Sequence, residues 1–120
     1  MAVRKVLCVD DARADLTNIE KIVSGANCLV STASSGTEAL ERAKADKPDL
    51  IFMDVNMAGM DGFAATRELK KDAATKDIPV VFVTSKNQKA DRVWAQMQGG
   101  AGFISKPYTA DDILAQLKAF

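Results

Sequence analysis

Three acids, a hydroxyl and an amine each close a short apolar run in this 120-residue chain. Asp10 and Asp11 follow Val6-Leu7-Cys8-Val9, Asp54 follows Leu50-Ile51-Phe52-Met53, Thr84 follows Pro79-Val80-Val81-Phe82-Val83, and Lys106 follows Phe103-Ile104-Ser105. Clustered carboxylates repel one another, so a native cluster calls for a cation. A donor set of oxygens alone, with no histidine in the chain, selects a hard divalent ion such as magnesium. An ionised aspartate beside such a cation is a nucleophile toward phosphorus, and a hydroxyl with an ammonium can neutralise charge spread over phosphoryl oxygens. The chemistry open to this set is formation of an aspartyl phosphate. Asp54 is the nucleophile and phosphate acceptor, Asp10 and Asp11 are metal anchors, and Thr84 and Lys106 bind the phosphoryl oxygens. Taken singly each residue has a plainer use: Asp11 as a helix cap, Thr84 in a turn, Lys106 as a solvated cation.

The set works only if distant strand ends converge. Val3 to Val9, Cys28 to Ala33, Leu50 to Met53, Pro79 to Val83 and Phe103 to Ser105 read as strands, the middle ones apolar throughout as in a parallel sheet covered on both faces. Between them lie helical stripes. Ala12 to Ser24 carries Leu16, Ile19, Ile22 and Val23, with Gly25 as a stop. Ser35 and Glu38 have capping-box spacing ahead of Ala39, Leu40 and Ala43, and Pro48 ends that segment. Phe63, Thr66 and Leu69 mark a third helix that dissolves into the polar stretch from Lys70 to Asp77. Asn87 to Gln98 places Ala90, Val93, Trp94 and Met97 on one face, Trp94 being expected in the core or half-buried, and Gly99-Gly100 stops it. Thr109 and Asp112 open the last helix, with Ile113, Leu114 and Leu117 inward. Strands alternating with helices predict parallel crossovers, helices on both sheet faces and a doubly wound α/β fold whose ligand crevice lies at the carboxyl ends of the strands.

Composition narrows the classes. Lysine plus arginine and aspartate plus glutamate number sixteen each, so no global basic field exists to hold nucleic acid or an anionic membrane. The start of the chain fits neither a secretory signal nor a membrane span, and a cytoplasmic location is expected. Cys8 and Cys28, both within expected strands, read as reduced core thiols. With 120 residues and 48% hydrophobic content, one domain spanning 1–120 is expected.

The whole pattern resembles the response-regulator receiver domain of the CheY type. The residues that carry the resemblance are Asp10-Asp11, Asp54 within Met53-Asp54-Val55-Asn56-Met57, the Gly59-Met60-Asp61-Gly62 turn, Thr84-Ser85 and Lys106-Pro107. It implies a flavodoxin-like five-stranded parallel sheet in the order 2-1-3-4-5 within three α/β/α layers. It implies Mg2+, with Mn2+ able to substitute, held by Asp10, Asp11, Asp54 and the backbone carbonyl of Asn56, and a cis peptide between Lys106 and Pro107. It also implies a switch in which the Thr84 hydroxyl turns toward the phosphoryl group and Phe103 moves inward. The expected donor is a sensor histidine kinase, and the expected output is a target protein bound at the face of the fourth helix, fifth strand and fifth helix. The protein would be a monomer or a weak phosphorylation-dependent dimer. The positions of Asn56 and Lys86 tune dephosphorylation in the family, although plain loop residues fit both places equally well. A narrower similarity, over Thr84 to Trp94 and Gln98-Gly99, is to single-domain receivers of chemosensory systems controlling twitching motility through type IV pili.

Three departures qualify the resemblance. Alanine stands at position 58 where the family usually has proline, which leaves the loop after Asp54 less constrained. Phe103 replaces the frequent tyrosine, and Gly99-Gly100-Ala101-Gly102 is unusually glycine-rich. The expected function is a stand-alone signalling switch with slow self-dephosphorylation, not a metabolic enzyme. One alternative is a magnesium-dependent phosphohydrolase, but that class places a second acid two residues after its nucleophile, where this chain has Asn56. Another is a phosphorylation-independent adaptor or a phosphate sink. With the chain closing at Phe120 after the fifth helix, no DNA-recognition domain is expected.

Overall fold

The computed structural model describes residues 3–85 and 89–120. Five strands, β1 (Lys5–Val9), β2 (Leu29–Ala33), β3 (Leu50–Asp54), β4 (Val80–Thr84) and β5 (Gly102–Ser105), form one parallel sheet in the order β2-β1-β3-β4-β5. Five helices alternate with them: α1 (Arg13–Gly25), α2 (Gly36–Asp46), α3 (Gly62–Lys71), α4 (Lys89–Met97) and α5 (Ala110–Ala119). The expected flavodoxin-like doubly wound architecture is the observed one.

The two-residue period of a strand divides the apolar runs between two cores. Leu7, Val9, Ile51, Met53, Val80 and Phe82 point to the side covered by Ala39 and Ala43 of α2, Phe63 and Leu69 of α3, and Ala95 of α4. Val6, Cys8, Leu50, Phe52, Val81 and Val83 point the other way, against Ile19 and Val23 of α1 and Ile113 and Leu117 of α5. Cys8 and Cys28 are buried free thiols, and burial pushes the Cys8 thiol up to about 12.

Local chemistry sets the helix ends. The Ser35 hydroxyl accepts from the Glu38 amide, while the Glu38 carboxylate accepts from the Ser34 amide. Thr109 and Asp112 form a full capping box at α5. Thr109→Ala is therefore expected to cost about 1 kcal/mol, read as a lower urea midpoint at unchanged slope. Beyond α3 the polar stretch is anchored from inside. The buried Thr75 hydroxyl donates to the Leu69 carbonyl at 2.7 Å, and the Lys70 ammonium donates to the Ile78 carbonyl at 2.8 Å.

The face expected for α4 is corrected by the structure. Val93, Trp94 and Met97 are 49%, 47% and 69% exposed, Ala90 is exposed, and Ala95 is the buried residue of the helix. Small residues bring this segment close to β4: a Cβ on Gly100 would lie 2.6 Å from the Phe82 ring. Contact of that kind leaves the larger side chains outside. Trp94 keeps an edge-on approach to Phe63, with ring centroids 6.5 Å apart. Asn87, expected to begin this helix, lies outside the described residues.

Candidate functional site

β1 and β3 are neighbours at the sheet centre, so the residues closing them share one end of the sheet, and β4 with β5 continues that edge. Asp54 and Thr84 are themselves the last residues of their strands, one place further along than expected. The β3–β4 register sets Asp54 opposite Val83, and the β4–β5 register sets Thr84 opposite Ser105. The Lys106 amide donates to the Thr84 carbonyl at 2.8 Å, which ties the lysine to the threonine through the main chain. The Lys106-Pro107 peptide is cis.

The carboxylates gather around one ammonium. Lys106 Nζ lies 2.8 Å from Asp10 Oδ2, 3.1 Å from Asp15 Oδ2 and 3.5 Å from Asp54 Oδ1. Asp10 is buried, and its Oδ1 also accepts the Ala12 amide at 2.9 Å. Asp11 is exposed, and its Oδ2 accepts the Ala58 amide at 3.2 Å. One oxygen from each of Asp10, Asp11 and Asp54 lies within 4.8 Å of the others, so the three acids fit a hard divalent cation in both spacing and donor type.

The electrostatics show what the cluster costs. Burial, and then the charge of Asp10, push the Asp54 carboxyl up to about 6 against the opposing pull of Lys106. Burial would lower Lys106, but its bonds to Asp10 and Asp15 and the charge of Asp54 outweigh this and hold it above the ordinary lysine range. Among the described residues one ammonium only partly neutralises four acids, which leaves the site receptive to further positive charge.

The loop after Asp54 is built to be close. The Gly62 amide donates to the Val55 carbonyl at 3.0 Å, and a Cβ at position 62 would run into the Asp54 carbonyl oxygen. Gly59 takes a φ of 75°, open to glycine at no steric cost. Asp61 caps α3 by accepting the Ala64 amide at 2.8 Å. Asn56 sits in this loop with an exposed side chain. Further along the edge, Phe103 is half-buried opposite Phe82 on β4, with the Arg92 guanidinium 5.1 Å from its ring centroid. Lys86 lies outside the described residues.

Two participants were not anticipated from sequence. Asp15 looks like an ordinary first-turn acid of α1, and its partnership with Lys106 spans 91 positions. Ala58 was expected only to loosen the loop, whereas its amide, which proline would lack, ties that loop to Asp11.

An acid pair, a strand-end aspartate, a threonine and a lysine thus stand at one end of a doubly wound sheet. Residues 6–118 match the family model of the response regulator receiver domain, and the chain belongs to that family. It is 36% identical over 115 residues to Protein PilH of Pseudomonas aeruginosa, covering 96% of this chain and 95% of that one. It is 40% identical over 110 residues to Response regulator PleD of Caulobacter vibrioides, of which the match spans 24%. Among solved structures, chemotaxis protein CheY4 of Vibrio cholerae superposes with a TM-score of 0.92 at 29% identity, covering 98% of both chains. Among the described residues no helix is long and apolar enough to cross a membrane.

Proposed function

We propose that this receiver is a phosphorylation-controlled binding switch in the cytoplasm, with Asp54 accepting a phosphoryl group from the phosphohistidine of a sensor kinase. The observation that carries the reading is the convergence of Asp54, Asp10, Asp11 and Lys106, with Asp54 buried at a strand end. A carboxylate oxygen of Asp54 attacks phosphorus, the phosphorus–nitrogen bond breaks, and the imidazole leaves with the bonding pair. Magnesium, held by Asp10, Asp11, Asp54 and the Asn56 carbonyl, would supply positive charge to the transferring phosphoryl oxygens. Lys106 and Thr84 take those oxygens once the acyl phosphate has formed. The new group adds close to two negative charges, enough to redirect Thr84 and draw Phe103 inward. The target then binds at α4, β5 and α5. The 36% identity to Protein PilH over 96% of this chain supports the narrower resemblance to the receivers of twitching-motility systems.

The test uses phosphoramidate, a small donor with the same phosphorus–nitrogen bond as phosphohistidine. Intact mass should show one phosphoryl adduct that forms with magnesium and is absent when magnesium is chelated. No adduct on folded, magnesium-bound protein would count against the acceptor role. Lys106→Ala should still acquire the adduct, because the nucleophile and the three acids remain. Its amide chemical-shift response across residues 89–119 should be several-fold smaller, and a full response would remove Lys106 from the switch.

A further inference from the structure

We propose that Asp15 is a positioning residue for Lys106, holding its ammonium in the unphosphorylated protein and releasing it when a phosphoryl group arrives on Asp54. The inference rests on the phosphoacceptor reading above. Lys106 Nζ bonds to Asp10 at 2.8 Å and to Asp15 at 3.1 Å, while Asp54 stands further off at 3.5 Å. The contact to the acceptor is thus the longest of the three.

The three acids differ in how easily they can let go. Asp10 is buried and held on its other oxygen by the Ala12 amide, and Asp54 is the last residue of a fully buried strand. Asp15 sits in the first turn of α1 with half of its side chain exposed, so water can replace the ammonium there. Beside it opens a cleft of about 340 Å³ lined by Asp15, Asn18, Ser85, Lys106, Pro107 and Tyr108, which gives the carboxylate room to turn away. A phosphoryl group on Asp54 would add close to two negative charges beside the ammonium, enough to draw it off the half-exposed Asp15. Asp15 therefore opposes the phosphorylated arrangement, and its removal should favour that arrangement.

Beryllofluoride in the presence of magnesium, a non-covalent phosphoryl mimic, is the probe, with affinity read by titration calorimetry. Asp15→Asn should bind it about threefold or more tightly, the scale of a half-exposed ion pair, while Asp15→Glu should stay near the unaltered protein. In a Lys106→Ala background the same Asp15→Asn change should have no effect. Tightening that persists there would show that Asp15 acts by its charge alone, and the proposal would be overturned. Equal affinities of Asp15→Asn and the unaltered protein would also overturn it. Failure of the unaltered protein to bind beryllofluoride would instead strike the phosphoacceptor reading, and this proposal with it. Circular dichroism melts of each variant confirm that the folded forms are being compared.

Discussion

Asp54→Asn should take up no phosphoryl group from any donor and should also be more stable than the unaltered protein at neutral pH without metal. The first effect follows from losing the nucleophile: an amide oxygen does not form the acyl phosphate. The second follows from the cost of the charge that is removed. Asp54 is buried beside Asp10, and its carboxyl is pushed up to about 6 from an ordinary 3.8. A carboxyl raised by folding binds its proton more tightly in the native state, so the unaltered protein is most stable, with respect to this group, below about pH 4. It loses that stability as pH rises through about 6. The full loss is about 3 kcal/mol, taking 1.36 kcal/mol for each pKa unit. Asparagine escapes the charge but must place an amide beside the Lys106 ammonium, so a net gain of about 1–2 kcal/mol is expected. Urea unfolding at pH 7.5 with a chelator should show it, and the gap between the two proteins should close as pH falls from about 6 toward 4. A variant that is less stable at pH 7.5 would show that Lys106 compensates the buried charge in full.

Gly62→Ala should cause the largest loss of stability among single substitutions at the site. An alanine for glycine at an ordinary helix position gains up to about 1 kcal/mol. Here the sign reverses. The added Cβ would meet the Asp54 carbonyl oxygen and lie 2.9 Å from both the Asp54 carbonyl carbon and Val55 Cα. All of these are main-chain atoms, and no rotamer change can move them aside. The Gly62 amide is bonded to the Val55 carbonyl, so the helix start cannot back away without breaking that bond. The expected cost is about 3 kcal/mol, seen as a lower urea midpoint. Because the atoms that must shift belong to Asp54, the proposed acceptor, phosphorylation by phosphoramidate should slow as well. Unchanged stability with an unchanged rate would show that this loop opens without disturbing Asp54.

Most of the sheet and its end were legible because the chemistry coincides with the punctuation. Each apolar run stops where a polar residue stands, and a parallel sheet brings those stops to one side, so the sequence alone groups Asp10, Asp54, Thr84 and Lys106. The face of α4 could not be read the same way. Apolar residues at positions 90, 93, 94 and 97 make a stripe whether it meets a core or water. What decides the matter is that Ala95 and Gly100 allow a close approach to β4 that the larger residues cannot share. Asp15 was invisible for a different reason. An acid in a helix's first turn is favoured by the helix dipole in any protein, and only the fold shows that this one reaches a lysine from the other end of the chain. At position 58 the substitution was visible but its consequence was not, since the gain is a main-chain donor to Asp11 rather than a side chain.

If the site works as proposed, Asp54 and no other acid carries the phosphoryl group. Borohydride reduction of the acyl phosphate converts the modified aspartate to homoserine, which peptide mass spectrometry can place by residue. After incubation with phosphoramidate and magnesium, homoserine is predicted at position 54 alone. Homoserine at Asp10, Asp11 or Asp61, or none from protein whose intact mass carries the adduct, would contradict the account.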